Sequence, residues 1–311
     1  NGNGRRELDE FEIAPTPDLA TFVRVFSPNL EFVRTSQTKV GQNLSIRSPA
    51  TWRRGKDWQK VLARFQNLLA YQLDRRSLLE GASNDLDPFR AVADSSLVAL
   101  NESFRQTLFF NRSSLKFGGD YSFRRTDARN LLTFGIEQRQ IQEQQLNLRY
   151  GLAEQWLLRG QLIYAEKENR SGNFQNRNFG VLALRNQYEL SYQWAEALQV
   201  SLDYEWREEE SSGDNENRLF AQSLGLKMNY TQKLNLQSEL RYIYNDFSGA
   251  TNNPAAYEML QAFRPGRNMA LQLSLQKTFL ENLVVSLLYN GRFSGDQNAI
   301  HVGSLQVKAF L

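Results

Sequence analysis

The sequence of 311 residues has no cysteine, one histidine and seven prolines. The lack of cysteine excludes disulfide bonds, thiolate metal centres and cysteine nucleophiles. The single imidazole, that of His301, excludes a histidine-rich metal site and allows at most one catalytic triad. No apolar run approaches the roughly 18 residues of a membrane-spanning helix. A signal peptide is also missing, and because the chain opens in a polar Asn-Gly repeat, we expect it to be part of a longer precursor.

Neither sign of charge dominates the sequence. The 37 basic and 34 acidic side chains leave a net charge of +3. This excess is too small to indicate nucleic acid, and we expect no nucleic-acid partner. The chain is polar, but its 20 Phe, 12 Tyr and 5 Trp set it apart from disordered sequences.

Alternation of apolar and polar residues is the main pattern present. From Leu198 to Trp206 every even position is apolar or aromatic, and every odd position is polar. The same alternation recurs in the segments 115–123, 182–194, 220–230, 234–244, 269–279 and 283–293. A helix cannot place five alternate residues on one face, so these segments are predicted strands.

The length of these strands favours a membrane. Several run for roughly 10–13 residues, whereas a soluble strand has about 5–6 and a strand that crosses a bilayer needs about 9–11. Aromatic residues such as Trp194, Trp206 and Tyr244 gather at the ends of the apolar face, as in membrane barrels. The alternative is a large soluble sandwich, whose inner face also alternates but whose strands are shorter.

The connections differ in length. Tight turns are predicted at 194–197, 230–233 and 279–282, and long polar loops at 166–177, 207–218 and 246–267. The second loop includes the acidic run Glu208–Glu210, which is most simply a solvated segment. Short turns that alternate with long loops are typical of outer-membrane barrels.

The longest loop carries a helix signal. Asn253 is a predicted N-cap, Pro254 suits the first helical position, and the helix is expected over Ala255–Phe263 before Pro265-Gly266 ends it. This helix would cover the barrel mouth or brace the loop, and bracing is the simpler interpretation.

The sequence therefore predicts an all-β fold, a transmembrane antiparallel up-and-down β-barrel of about 14 strands with short periplasmic turns and long extracellular loops. The barrel is assigned to residues 31–311 and follows an N-terminal linker at 1–30. Strands are expected near 38–47, 59–74, 103–111, 115–125, 131–140, 144–152, 155–166, 178–193, 198–208, 218–230, 234–246, 268–279, 283–294 and 300–311. Residues 59–74 also fit a helix, and parity places the insertion at 76–101 in the periplasm, which is untypical.

The polar face of the strands mixes acids with bases and is assigned to the lumen. Its charged residues are Arg149, Arg159, Arg185, Glu189, Asp203, Glu205, Lys227, Glu239, Arg241 and Arg292. Such groups pair across neighbouring strands where water or partners are present. Two interpretations stay open: a pore whose charged rings tune ion selectivity, or a structural ladder inside a narrow or plugged barrel.

The opening ten residues have the spacing of the last ten positions of an EF-hand calcium loop. The ligands would be Asn1, Asn3, the carbonyl of Arg5, Glu7 and Glu10. The first ligand of such a loop would precede residue 1, and a plain Asn-Gly turn is the alternative. Calcium is thus the one candidate cofactor, and none is required.

His301 suggests a hydrolase, but its parity argues against one. It shares a face with Leu305 and Val307 and would point to lipid or to the outer interface, whereas Ser304 lies on the opposite face. A general base must lie within hydrogen-bond reach of its nucleophile, so no catalytic residue is assigned.

Several longer segments carry a family resemblance. They are Asn1–Gly4 with Asp9–Glu12, Arg24–Pro28 with Glu31–Thr35, Phe263–Asn268, and Tyr289–Arg292 with Ile300–Gly303 and Gln306–Ala309. Together they resemble the C-terminal β-barrel region of large outer-membrane proteins of Bacteroidetes-type bacteria, which have no assigned function. The alternating C-terminal strand also resembles the sorting signal that barrel-assembly machinery reads.

We therefore expect a barrel of a Gram-negative cell outer membrane that is not an enzyme and that serves as a pore, an export conduit or the membrane anchor of a larger protein. Expected partners are outer-membrane lipid and lipopolysaccharide, the barrel-assembly machinery, and periplasmic or surface proteins. The alternatives are a soluble secreted β-sheet protein that binds glycans through Trp and Tyr faces, and a barrel-embedded hydrolase that uses His301.

Overall fold

The computed structural model describes residues 34–79, 96–132, 135–172, 174–213, 216–232, 234–279, 282–295 and 297–309. Residues 35–311 form one compact unit, and residues 1–34 form another, of which Arg34 is described. The predicted calcium ligands Asn1, Asn3, Arg5, Glu7 and Glu10 lie outside the described residues, as does the whole predicted linker at 1–30.

The larger unit is a single antiparallel sheet in which thirteen strands pair in chain order. The strands are β1 (Thr35–Arg47), β2 (Phe65–Leu78), β3 (Leu97–Phe110), β4 (Phe117–Leu132), β5 (Gly135–Ala153), β6 (Trp156–Ser171), β7 (Phe179–Ala195), β8 (Leu198–Ser212), β9 (Arg218–Thr231), β10 (Asn235–Ser248), β11 (Gly266–Phe279), β12 (Leu283–Ser294) and β13 (Ile300–Ala309). The predicted all-β, up-and-down architecture is confirmed.

The strand count corrects one prediction. The two strands expected at 131–140 and 144–152 belong largely to one strand, β5. Its first half has only two large apolar residues, Ile136 and Ile141, which lie on opposite faces, so alternation is lost there and the prediction divided the strand. With one strand fewer in the count, the insertion at 76–101 connects two strands at the same end of the sheet as the loop 249–265. The strand count therefore no longer places this long insertion on the side of the short turns.

The two ends of the sheet differ. At one end, called the turn end, the connections are 48–64, 111–116, 154–155, 196–197, 232–234 and 280–282. At the other, called the loop end, they are 79–96, 133–134, 172–178, 213–217, 249–265 and 295–299. The strands continue farther into the predicted loops than expected: β6 runs to Ser171 and β8 to Ser212. Their final residues are polar on both faces, which resembles a loop in the sequence.

Two helices interrupt the connections. The segment 48–64 contains a 3-10 helix (Ala50–Arg54) and the short helix α1 (Asp57–Leu62), so the ambiguous segment 59–74 is helix first and strand β2 afterwards. In the loop 249–265, α2 (Pro254–Leu260) begins as predicted, because the Asn253 side chain accepts a hydrogen bond of 2.8 Å from the Ala256 amide. It ends earlier than predicted, where Gln261 adopts a left-handed backbone conformation. No helix among the described residues has the length and apolar character needed to span a bilayer.

The sheet is polar on its buried face and apolar on its exposed face. In β8, Leu202 is 49% exposed whereas its neighbour Asp203 is 0% exposed. The register carries this division across the sheet, since Leu190, Leu202, Leu226 and Leu240 are direct cross-strand neighbours. The face of Leu202 is called the outer face, and the face of Asp203 the inner face. A soluble sandwich would have the reverse distribution.

The sheet curves around α2. Glu258 of α2 contacts Arg139 of β5, and Arg292 of β12 donates a hydrogen bond to the carbonyl of Ala262, just after the helix. In a flat sheet β5 and β12 would be about 34 Å apart, whereas residues 258 and 262 are at most about 14 Å apart. The inner face is therefore concave.

The register also gives the strand tilt. A path along direct cross-strand neighbours from β1 to β11 leads from Ile46 to Arg267. Ile46 lies one residue from the turn end of β1, whereas Arg267 lies 12 residues from the turn end of β11. This offset is about 36 Å along the strands over a width of about 48 Å, which corresponds to a tilt of about 37°. Transmembrane barrels have tilts of about 35–45°.

The sheet is not closed. Among the described residues no ladder joins β1 to β13, so these two strands are its edges. Every residue of β13 is exposed.

Candidate functional site

A row of charged residues crosses the inner face. The direct register partners in it are Arg149 of β5, Arg159 of β6, Glu189 of β7, Asp203 of β8, Gly225 of β9, Arg241 of β10, Ala270 of β11 and Arg292 of β12. Because directly paired residues share a face, the six charged members of the row point to the same side. The other four residues assigned to a lumen, Arg185, Glu205, Lys227 and Glu239, have the same parity along their strands and lie on this face as well.

Asp203 is at the centre of the row. Its carboxylate lies 3.0 Å from the Arg241 guanidinium and 3.3 Å from the Lys227 ammonium. Space for it comes from Gly225, since a Cβ atom at that position would lie 2.3 Å from Asp203 Oδ1. Two cations thus face one fully buried carboxylate, an arrangement that offsets the cost of burying it.

Further ion pairs extend this cluster. Glu189 pairs with Arg159 at 2.5 Å and with Lys227 at 3.4 Å. Arg241 contacts Glu239 at 2.8 Å and Glu205 at 3.8 Å, and the distance from Glu205 to Arg185 is also 3.8 Å. Eight of the ten residues assigned to a lumen therefore form one connected network, which spans β6 to β10.

The remaining two residues contact backbone instead. Arg149 donates hydrogen bonds to the carbonyls of Asn111, Arg112 and Ser114 in the β3–β4 connection, and so holds that turn against β5. Arg292 donates to the Ala262 carbonyl at 3.1 Å and lies 4.9 Å from the centre of the Phe263 ring. These two arginines fix connections at opposite ends of the sheet.

Glu209 is one residue whose place the sequence interpretation missed. It was assigned to a solvated loop, but it lies in β8, is buried on the inner face and pairs with Arg207 at 3.4 Å. The signal was present, because Glu209 continues the parity of Asp203 and Glu205. Its acidic neighbours Glu208 and Glu210, which point outward and are exposed, obscured it.

Helix α2 packs on the inner face near the loop end. Its Ala255, Met259 and Leu260 form an apolar cluster with Val181, Leu219 and Ala221 of the sheet. Asn253 and Asn217 are buried and hydrogen-bonded to each other at 3.1 Å, which ties the start of the helix to the β8–β9 connection. The helix therefore both braces its own loop and occupies part of the concave side.

Glu258 attaches the exposed side of α2 to the sheet. It pairs with Lys167 at 2.6 Å and with Arg139 at 3.3 Å. Burial acts to raise the pKa of Glu258, but the hydrogen bond from Lys167 and the positive charges of Lys167 and Arg139 outweigh burial and lower it. No sequence pattern indicated this contact, because Arg139 and Glu258 are 119 residues apart.

A cavity of about 400 Å³ lies beside the charged row, and its lining includes the apolar side chains of Phe109 and Leu148. Asp120, Asn147, Gln161 and Gln187 line it, together with Arg159 and Glu189 from the row. Asn147 donates a hydrogen bond to Asp120 at 2.7 Å and accepts one from Gln161 at 2.9 Å. The cavity offers hydrogen-bonding amides and charges, which suit a hydrated solute.

His301 lies on the outer face. The Tyr289 hydroxyl is 2.7 Å from its Nδ1, and the Phe293 ring centre is 5.6 Å from the imidazole centre. Ser304 has the opposite parity on β13. The described residues also contain no group of three His, Asp or Glu side chains able to hold a metal ion.

Comparison with known proteins gives matches at the level of structure. No family model matches the chain, and neither does any curated protein. The siderophore receptor PirA from Pseudomonas aeruginosa is similar with a TM-score of 0.53 and 12% identity, over 85% of this chain and 42% of the receptor. The FrpB iron transporter from Neisseria meningitidis (F3-3 variant) is similar with a TM-score of 0.50 and 12% identity, over 83% of this chain and 45% of the transporter.

This chain spans less than half the length of either protein. At these identities the likeness extends to the fold. The open antiparallel sheet is thus similar in fold to part of these two outer-membrane β-barrel proteins.

Proposed function

We propose that this chain is a membrane-spanning part of an outer-membrane β-barrel, and that its charged inner face lines an aqueous passage for transport or export. The observation that supports this most strongly is the inverted burial of the strands, with leucine exposed and aspartate buried. Lipid favours a row of exposed leucines on the outer face. Water, or pairing with opposite charges, favours a row of charged residues on the inner face.

The outer face has the dimensions of a membrane band. From Leu198 to Trp206 it extends about 26 Å along β8, or about 21 Å along the axis of a tilted barrel, near the band of about 25 Å found in such proteins. Aromatic rings contact one another at both limits. Phe65, Phe110 and Phe117 do so towards the turn end, and Trp206 and Phe220 towards the loop end.

The inner face supports a passage that α2 narrows. A dry core would have to bury the whole charged network, which costs more than its pairing returns unless every group is satisfied. Water on the concave side removes that cost, and the 400 Å³ cavity beside the charged row gives it room. Because α2 occupies the concave side near the loop end, we expect a constricted opening there and not a wide pore.

The charged residues of the inner face indicate the class of solute that would pass. The row has two acids at its centre and two arginines on either side, so a solute meets both signs of charge, which suits polar or zwitterionic solutes better than anions or cations alone. PirA is a siderophore receptor and FrpB an iron transporter, and the shared fold supports transport as the class of function for this chain.

The edges of the sheet impose one requirement on this proposal. Unpaired amide and carbonyl groups are not tolerated in hydrocarbon, so in a membrane the free edges of β1 and β13 must be paired, with each other or through further strands. We expect the loop end to face the exterior, where lipopolysaccharide is the neighbouring lipid, and the turn end to face the periplasm.

Heat-modifiability tests the proposal. The full chain, purified in detergent, is run on SDS gels with and without boiling and is then inserted into planar bilayers. We expect a mobility shift and a conductance that rises in Asp203→Ala or α2-deleted protein. A chain that stays folded and soluble without detergent would refute the proposal and favour the glycan-binding alternative.

The second candidate function is a membrane anchor for a larger protein. Two observations favour it. Helix α2 fills part of the concave side, and this chain covers less than half of the two similar proteins. The bilayer experiment separates the two candidates, because an anchor would insert and shift on gels without conducting.

A further inference from the structure

A second charged surface lies at the turn end, in the connection between β1 and β2. Residues 48–64 carry five basic side chains, Arg53, Arg54, Lys56, Lys60 and Arg64, and one acidic residue, Asp57, which pairs with Lys60 at 3.0 Å. No other described residue of this connection is acidic. The segment is therefore strongly basic, whereas the chain as a whole is nearly neutral.

Part of this charge lines an open pocket of about 800 Å³ between the β1–β2 and β3–β4 connections. Its cationic residues are Arg47, Arg53, Lys60, Arg64 and Arg112. None of the residues that line it is acidic, and Asn111, Ser113 and Ser114 add hydrogen-bonding groups. Five like charges around one pocket give it a positive potential that favours an anion.

Apolar side chains stand exposed beside the pocket. Trp58 is 56% exposed, and Val61 and Leu62 on the same short helix are exposed as well. Trp58 contacts the ring of Trp52 at 5.5 Å in an edge arrangement. A segment with basic residues, tryptophan and aliphatic residues is typical of membrane interfaces.

The pocket also adjoins the outer face. Phe65 lines it and, as the first residue of β2, contacts the ring of Phe110 at 5.1 Å in the aromatic band of the turn end. A phosphate held among the cations would thus have its acyl chains directed along the apolar outer face. An acidic peptide has no acyl chains that could lie along this apolar face.

We propose that the β1–β2 connection and the β3–β4 turn form a binding site for the headgroup of an anionic phospholipid. The lipid phosphate lies among Arg53, Lys60 and Arg64, and the rings of Trp52 and Trp58 lie at the level of the glycerol backbone. The site rests on the membrane placement proposed above, and it adds a lipid class that the charged inner face does not specify.

Fluorescence quenching in nanodiscs tests this site. The full chain is reconstituted in phosphatidylcholine discs that contain either brominated phosphatidylglycerol or brominated phosphatidylcholine at the same low mole fraction. We expect stronger quenching by the phosphatidylglycerol, with a smaller difference in Trp58→Phe, because Trp58 supplies part of the signal. Raising the salt concentration to 1 M should weaken the preference.

Charge removal provides the matched comparison. In R53Q/K60Q/R64Q the preference for phosphatidylglycerol should fall by about fivefold for each cation removed. The control R170Q/R177Q/R218Q removes the same charge from exposed positions at the loop end and should keep the preference. All variants are checked for the gel mobility shift in phosphatidylcholine alone.

The outcomes are distinct. Equal quenching of the native chain by both lipids, or an equal loss in the two triple variants, would overturn the lipid site and leave the barrel in place. An acidic peptide as the true ligand would give the first of these results. Failure of the native chain to insert in any disc would overturn both proposals.

Discussion

Leu202 and Asp203 are adjacent in β8 and lie in opposite environments. Leu202 is flanked by Leu190 and Leu226 on the exposed outer face, whereas Asp203 is enclosed by Lys227 and Arg241 on the inner face. In a soluble β-protein the leucine would be enclosed and the aspartate exposed. The comparison shows that the alternation in this sequence separates two environments, one at the outer face and one at the inner face. A rule that places apolar residues in the buried core would assign the core to the wrong residues.

The largest expected effect is on the inner face. Asp203→Ala removes the fully buried carboxylate and leaves Lys227 and Arg241 with only their partly exposed partners Glu189, Glu205 and Glu239, at a cost of about 3–5 kcal/mol in the free energy of unfolding. Denaturant titration in detergent measures it. Gly225→Ala sharpens the test, since its new Cβ should be costly beside Asp203 and nearly harmless in the Asp203→Ala background. Equal costs in both backgrounds would mean that the Asp203 carboxylate does not occupy this position.

The matching change on the outer face is Leu202→Arg. A charge near the midplane of the bilayer should cost about 2–4 kcal/mol in a lipid-embedded barrel. Gln187→Arg is the control, because Gln187 lines the cavity on the inner face and its cross-strand neighbour is Glu205. Unfolding from liposomes measures both variants. Similar losses at the two positions would contradict the assignment of the faces.

A smaller effect is expected where α2 begins. Asn253→Ala removes the N-cap hydrogen bond to the Ala256 amide and the contact with Asn217, at a cost of about 0.5–2 kcal/mol. Amide exchange should report this as faster opening of residues 254–260, with the strands unchanged. Protection of α2 equal to that in the native chain would show that packing on Val181 and Leu219 holds the helix without its cap.

The smallest effect depends on pH. The pKa of Glu258 is lowered in the folded protein from its ordinary value of 4.5. Its pairing therefore stabilises α2 at pH values above 4.5, and this contribution is lost as the pH falls through the lowered pKa. Amide exchange of α2 should accelerate in that acidic range, and Glu258→Gln should show little pH dependence there. An unchanged pH profile in the variant would exclude Glu258 as the cause.

The sequence predicted the fold well wherever one face of a strand is continuously apolar. From β6 to β13 the strand starts agree within a few residues, because period-2 alternation is strong there. It failed in β5, where Ile141 is the one apolar residue of 137–145 and one strand was interpreted as two. It also missed the extensions of the strands at the loop end, because these residues are polar on both faces and show no alternation of apolar and polar side chains.

The site was only partly predictable. Parity along single strands selected the ten charged residues, but the partners of Asp203 depend on the register of three strands, β8, β9 and β10. The contacts of Glu258 with Arg139 and Lys167 join distant parts of the chain through the curvature of the sheet, which no local pattern contains. The calcium loop predicted at Asn1–Glu10 stays a prediction, as does the resemblance to Bacteroidetes-type outer-membrane proteins.

The most direct test of the central claim compares spin labels at Leu202→Cys and Gln187→Cys, which are unique sites because the native chain has no cysteine. The reconstituted chains are exposed to oxygen, which partitions into lipid, and to a water-soluble nickel chelate. We predict that the label at 202 is accessible to oxygen and not to nickel, and that the label at 187 shows the opposite preference. Nickel access at 202 equal to that at 187 would contradict a lipid-facing outer face and with it the membrane barrel.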